Sequence, residues 1–230
     1  MSSSRRTPRG ELAATRRALL EAAREMDRSG LTEATAGNLS ARTSADEVVL
    51  TPTALDYAEM TTEDLVVCDL EGRVVSGTRA PTTEAGLHLA CLRRHRDIAA
   101  VVHSHALHAS QFAVTHQPIP CLVEEFELYV GGDVPIAPYR QTGSEALGEV
   151  VAPLLADRSA ALLANHGLVS VGATPGEALG IAKLVERTAQ IVAGARRLGE
   201  PVPLPDASRS GLAARYQAAR AERAKRLHRS

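Results

Sequence analysis

The sequence predicts an α/β fold, a three-layer αβα sandwich. Three observations point there: a chain length that suits one core, short apolar runs bounded by turn residues, and helical segments that interleave with those runs irregularly rather than in strict βαβ alternation. At 230 residues the chain is too short for two ordinary catalytic domains and long enough for one well-buried core. Its 44% hydrophobic and 23% charged residues describe an ordinary globular composition.

Taken in order, residues 1–10 are rich in Ser, Arg, Pro and Gly, and are expected to form a frayed tail. The catalytic domain is expected over residues 11–200. From Glu11 the positions Leu12, Leu19, Leu20, Ala23 and Met26 fall on one helical face, and Gly30 follows as a helix-ending residue. Strands are expected at Val48–Leu50, Leu65–Val67, Val74–Val75, Ala99–Val102, Ile136–Ala137, Ala161–Leu163 and Leu168–Val171. A helix starts near Pro81 and contains Leu87, Ala90 and Cys91. Thr142-Gly143-Ser144-Glu145 predicts a capping box opening a helix with Leu147, Val151 and Leu154 on its apolar stripe. Thr174-Pro175-Gly176-Glu177 offers an N-cap Thr, Pro at the first helical position and Glu at the third, and its helix should run to about Arg197. Residues 201–230 form a Pro-rich hinge and a basic tail; from Ser208 the tail has seven Lys/Arg against one Glu and reads as a solvated terminal helix.

Charge and cysteine usage exclude several classes. Lys+Arg 26 against Asp+Glu 27 leaves a formal net charge of -1, without the basic field that draws a protein to nucleic acid. The three cysteines, Cys68, Cys91 and Cys121, are odd in number and lack C-x-x-C spacing, which argues against a disulfide framework and a thiolate zinc site. No apolar run approaches the ~20 residues that span a bilayer, and the charged start MSSSRRTPRGE has no apolar stretch behind it. A cytoplasmic protein is expected.

Of the eight histidines, His103, His105 and His108 cluster directly after Ile98–Val102. Alternate residues of a strand point to one side, so His103 and His105 project together, near enough to share one ion. Imidazole nitrogen is a standard ligand for Zn²⁺, and three protein ligands with an open position make a catalytic site. His166, at the end of a second apolar run and before Gly167, is the candidate third ligand. The bland alternative is a set of polar strand ends. Glu84, in Pro81-Thr82-Thr83-Glu84, is a candidate acid/base carboxylate or simply a first-turn residue that favours the helix dipole. The loops Thr35-Ala36-Gly37-Asn38 and Thr51-Pro52-Thr53 could present hydroxyl, amide and backbone N–H donors to a phosphate, or could be plain turns. The H-x-H pair fits neither a metallo-β-lactamase, which would want Asp at Leu107, nor a cupin, which would want Glu near Ala109 and Ser110.

Together, Thr35–Arg42, Leu50–Thr53, Pro81–Glu84, Val102–His108 and Asn165–Leu168, in that order, resemble the class II aldolase (aldolase/adducin) family, most nearly its L-fuculose-1-phosphate aldolase branch. The resemblance runs from about Arg17 to Arg197. It implies a mainly antiparallel central sheet, one zinc ion held by His103, His105 and His166, and a homotetramer with interfacial active sites. It also implies Glu84 as acid/base, and a phosphate site at Gly37, Asn38, Thr53, Thr82 and Thr83. The family's C-terminal tail brings a tyrosine toward the site, and Tyr216 is its counterpart here. The chain departs from the pattern at Ala54, where the family has Gly, and at Glu124, where fuculose-phosphate aldolase offers a Tyr.

The function so implied is zinc-dependent, reversible cleavage of a short ketose 1-phosphate to dihydroxyacetone phosphate and an aldehyde. The partner is then a small sugar phosphate rather than nucleic acid or membrane. Two alternatives stand beside it: metal-dependent decarboxylation of a 3-oxo sugar-acid phosphate, and a non-catalytic, adducin-like binding module.

Overall fold

The centre of the protein is a single eight-stranded sheet, which a computed structural model describes together with its helices over residues 6–227. The strands are β1 (Asn38–Arg42), β2 (Val48–Leu50), β3 (Val66–Cys68), β4 (Val74–Ser76), β5 (Ala100–Ser104), β6 (Ile136–Ala137), β7 (Ala160–Leu163) and β8 (Gly167–Gly172). They lie in the order β4-β3-β2-β1-β5-β8-β7-β6. Every neighbouring pair is antiparallel except β6 with β7, so the sheet is mainly antiparallel as expected.

The helices are α1 (Arg9–Arg28), α2 (Ala85–Arg94), α3 (Leu107–Val114), α4 (Glu124–Val130), α5 (Glu145–Val151), α6 (Pro175–Leu198) and α7 (Asp206–Leu227). Because β1, β5, β7 and β8 are covered on both sides, their apolar residues divide by alternation between two cores. On one face Leu39, Ala100, Val102 and Leu162 meet α1, α3, α4 and α6. On the other, Val101, Ala161 and Val169 meet Leu87 and Cys91 of α2 and Leu147 and Val151 of α5. That is the three-layer sandwich.

Local chemistry sets the helix ends. Leu19, Ala22, Ala23 and Met26 of α1 are buried at the spacing of one helical face, and Gly30 closes the helix at φ 66°, where its N–H reaches the Asp27 carbonyl. At α6 the Thr174 hydroxyl accepts from the Glu177 N–H at 3.1 Å, as the sequence predicts.

Four expectations change. Residues 1–5 of the anticipated tail lie outside the described residues, but Thr7 is buried, its hydroxyl bonded to that of Thr43, and α1 already begins at Arg9. Ser144, not Thr142, is the N-cap residue of the helix after Gly143, and its hydroxyl donates to the Gln141 carbonyl rather than capping the helix, so the box proposed from Thr142 does not form. The central strand β1 was not anticipated, because Asn38, Ser40 and Arg42 break the apolar pattern by which the other strands are recognised. The C-terminal helix is docked rather than solvated: α7 lies on α4, and Tyr216 and Arg220 are buried.

Candidate active site

The site begins where two central strands pair. Asn38 of β1 stands opposite His103 of β5, so both side chains leave the sheet by one face, and Ser40 leaves by it too. α2 covers this face; Glu84 is its N-cap residue and His88 lies one turn on. The turn joining β7 to β8 brings in His166.

Two glycines permit this approach. A Cβ on Gly167 would fall 2.5 Å from the Ser104 carbonyl oxygen and 3.1 Å from the His105 ring. At Gly37, with φ +74°, it would fall 2.8 Å from the His103 carbonyl oxygen. Asn165 bends the chain before His166 at φ 56°, a conformation asparagine tolerates, and its side-chain oxygen accepts from His116 Nε2 at 2.6 Å.

The histidines converge. Their ligating nitrogens all lie within 4.8 Å of one another. His105 sits just past the end of β5 rather than within it, yet its Nε2 lies 3.0 Å from His103 Nε2. His103 Nδ1 is 3.1 Å from the Leu168 carbonyl, which can only accept, so this nitrogen bears the proton and Nε2 of the neutral ring bears a lone pair. That lone pair also faces Glu84 Oε2 at 3.2 Å. Two electron-rich atoms so placed call for a proton or a cation between them. Burial, then His166 and His105, hold the His103 imidazole well below the usual histidine range, which disfavours the proton. Burial also lowers His105. Glu84 Oε1, 3.6 Å from His166 Nε2, and His166 Nδ1 are buried without a hydrogen-bond partner. A donor set of neutral imidazoles with a carboxylate beside it suits a divalent cation such as zinc.

Beside the histidines opens a cavity of about 280 Å³. Its lining includes Gly37, Asn38, Thr53, Thr82, Thr83 and Glu84, together with His105 and His166. The structure thus brings nearly all the sequence-predicted residues to one place. Thr82 is buried and its hydroxyl accepts from the Glu84 N–H at 3.3 Å, while Thr53 and Thr83 are exposed. Ala54 takes φ 52°, so the loop keeps a glycine-like conformation despite its Cβ. Thr142 also lines the cavity, and Tyr57, buried nearby, donates to the Gly37 carbonyl at 2.6 Å. Sequence reasoning placed Thr142 only in a capping box and passed over Tyr57, which belongs to no spaced motif. Among the described residues of the lining none is Lys or Arg.

Tyr216 is not brought there. Its hydroxyl bonds with Ser159 Oγ at 2.8 Å, next to the start of β7, whereas His166 lies beyond that strand's other end. The ring packs against Gly131 and borders a separate cleft between α4, α6 and α7.

Residues 17–193 match the family described as "Class II Aldolase and Adducin N-terminal domain". The chain belongs to this family. It is 34% identical over 195 residues to the 5-deoxy-D-ribulose 1-phosphate aldolase of Bacillus thuringiensis, covering 84% of this chain and 91% of that one. It is also 34% identical over 188 residues to the L-fuculose phosphate aldolase of Escherichia coli strain K12, covering 82% and 86%. A solved L-fuculose 1-phosphate aldolase superposes with a TM-score of 0.85 at 32% identity, over 89% of this chain and 97% of the other. YgbL from Klebsiella pneumoniae, titled a putative aldolase/epimerase/decarboxylase, gives 0.79 at 26% identity, over 87% and 98%. The chain is a class II aldolase, a lyase, and the binding-module alternative is set aside.

Proposed function

We propose that the enzyme reversibly cleaves a short ketose 1-phosphate into dihydroxyacetone phosphate and an aldehyde, with zinc as its metal. The observation that supports this best is the cavity beside the three-histidine cluster, whose lining combines His105, His166 and the buried Glu84 carboxylate with hydroxyl, amide and backbone donors of the surrounding loops. Its relatives' names, for 5-deoxy-D-ribulose 1-phosphate and L-fuculose phosphate, support the substrate class. His103, His105 and His166 would hold the ion, which when bound polarises the substrate carbonyl and stabilises charge as the carbon–carbon bond breaks.

The chain's residues do the rest. Glu84 moves protons through Oε1, the carboxylate oxygen without a partner. The backbone at Gly37, the second Asn38 amide N–H and the hydroxyls of Thr53, Thr82 and Thr83 hold the phosphate through hydrogen bonds from uncharged donors, and so fix the register of the reacting carbons. The same reading includes a cytoplasmic homotetramer; exposed Leu107 and Val114 on α3 and Ile191 on α6 support self-association.

The experiment is incubation of the metal-loaded enzyme with ketose 1-phosphates, their unphosphorylated ketoses and 3-oxo sugar-acid phosphates, following triose phosphate and CO₂. Triose phosphate from the ketose 1-phosphates alone is expected. CO₂ release without triose phosphate would replace the reading with decarboxylation, and equal kcat/KM for a ketose and its 1-phosphate would remove the phosphate site.

A further inference from the structure

We propose that His88 is a positioning residue for the reaction: through the Asn38 amide it fixes the direction in which the Glu84 carboxylate points. The proposal rests on the reading of Glu84 as the proton-moving group. His88 is fully buried on α2, among apolar residues that pack against the sheet, and does not line the cavity. A leucine would pack there without the cost of burying a polar ring. Both ring nitrogens are nevertheless bonded, and both partners come from β1, two residues apart on one face.

Each link in the chain has one allowed direction. A carboxylate only accepts, so the Asn38 atom 2.9 Å from Glu84 Oε2 is the amide nitrogen. The amide oxygen therefore faces His88 Nε2 at 2.6 Å, and since a carbonyl only accepts, that ring nitrogen donates. The neutral ring then has its lone pair on Nδ1, 2.8 Å from Ser40 Oγ, whose hydroxyl donates to it. Burial, then the neighbouring His103, keeps the ring neutral. Turning the Asn38 amide over would set its oxygen against Glu84 Oε2 and its N–H₂ against the His88 N–H, so the orientation is unique. Glu84 Oε2 is gripped and Oε1 is left without a partner. Apolar packing alone would leave the carboxylate free to rotate, and misplacement of a reacting group by ~1 Å is enough to cost about 10²-fold in rate.

The test uses the full-length, metal-loaded enzyme. In ¹⁵N-labelled wild type, the NMR signature of His88 is expected to show a proton bonded to Nε2 and none to Nδ1; a proton on Nδ1 overturns the proposal without reference to turnover. His88→Leu is expected to lower kcat roughly 10–100-fold, with KM within about 3-fold and bound metal unchanged. His88→Gln, whose amide can still donate to Asn38, should restore kcat to within a few-fold of wild type. In a Glu84→Gln background, His88→Leu should cause no further loss, because the carboxylate it aims is gone. Wild-type kcat in His88→Leu, no rescue by a folded His88→Gln, or an additive loss in that background would each overturn the assignment. Wild-type turnover by Glu84→Gln would instead overturn the reading beneath it, and the tautomer tells that failure apart from failure of the hydrogen-bond chain. Should His88→Leu not fold, the tautomer and His88→Gln still decide.

Discussion

At His103 the proton is committed to the Leu168 carbonyl, and the remaining lone pair faces Glu84 in a buried setting. The geometry therefore separates two roles that lie within 4 Å of each other. The histidines are suited to hold a cation, and Glu84, with one oxygen gripped by Asn38, is suited to move a proton. Glu84→Gln keeps the shape of the side chain, so it should retain the bound metal and the fold while losing about 10²–10⁴-fold in turnover. Metal analysis and steady-state kinetics on the same preparation check this. The clustering of three histidines was legible in the sequence because His103 and His105, two residues apart at a strand end, share a side and a Gly-flanked strand end offers His166. Glu84 is the N-cap residue of α2, makes no side-chain capping bond to it, and has its carboxylate 3.2 Å from His103 Nε2 and 3.6 Å from His166 Nε2. The hydrogen bonds of His88 and Tyr57 were not legible. Each pairs with a residue distant in sequence, His88 with Asn38 and Tyr57 with Gly37, and no local spacing encodes such pairings.

Among the elements, β1 and α7 depart most from what the sequence suggested, for opposite reasons. β1 is a central strand written in polar residues, because the face it turns to α2 carries Asn38 and Ser40 for the site instead of apolar packing. α7 is rich in arginine and reads as solvated, yet several of those charges are satisfied by the body of the protein. Arg220 pairs with Asp97 and donates to the Leu155 and Arg158 carbonyls, and Arg209 pairs with Glu127 and Asp133. Tyr216 anchors the same helix. Tyr216→Phe keeps the ring against Gly131 and loses the bond to Ser159, so it should cost about 1 kcal/mol. Tyr216→Ala also leaves a cavity and should cost about 3–5 kcal/mol. Thermal or denaturant unfolding measures both. If this tyrosine serves the docking of α7 rather than the chemistry, Tyr216→Phe should leave turnover within a few-fold of wild type.

For the molecule as a whole, the layered architecture was legible because the apolar runs and helix caps are local signals, and the antiparallel order followed from the family resemblance. What the sequence could not supply was which strands stand at the centre, a property of long-range pairing. One buried histidine beside that centre also adds to the acid sensitivity of the fold. His88 is held neutral by burial, its pKa pushed down to about 3 from 6.5, so across that window the unfolded chain binds a proton that the folded chain does not. Its contribution to stability is complete above about pH 6.5 and is lost as the pH falls toward 3, at roughly 1.4 kcal/mol per pH unit. Unfolding free energies measured from pH 7 to 4 should therefore fall more steeply for wild type than for His88→Gln, and parallel curves would refute the assignment. Whether the histidine site carries the chemistry is read from triose phosphate release from a ketose 1-phosphate before chelation, after chelation, and after zinc is returned. Cleavage should disappear with the metal, return with zinc in wild type and stay absent in His103→Ala; undiminished cleavage by fully stripped enzyme would show that the histidine site does not carry the reaction.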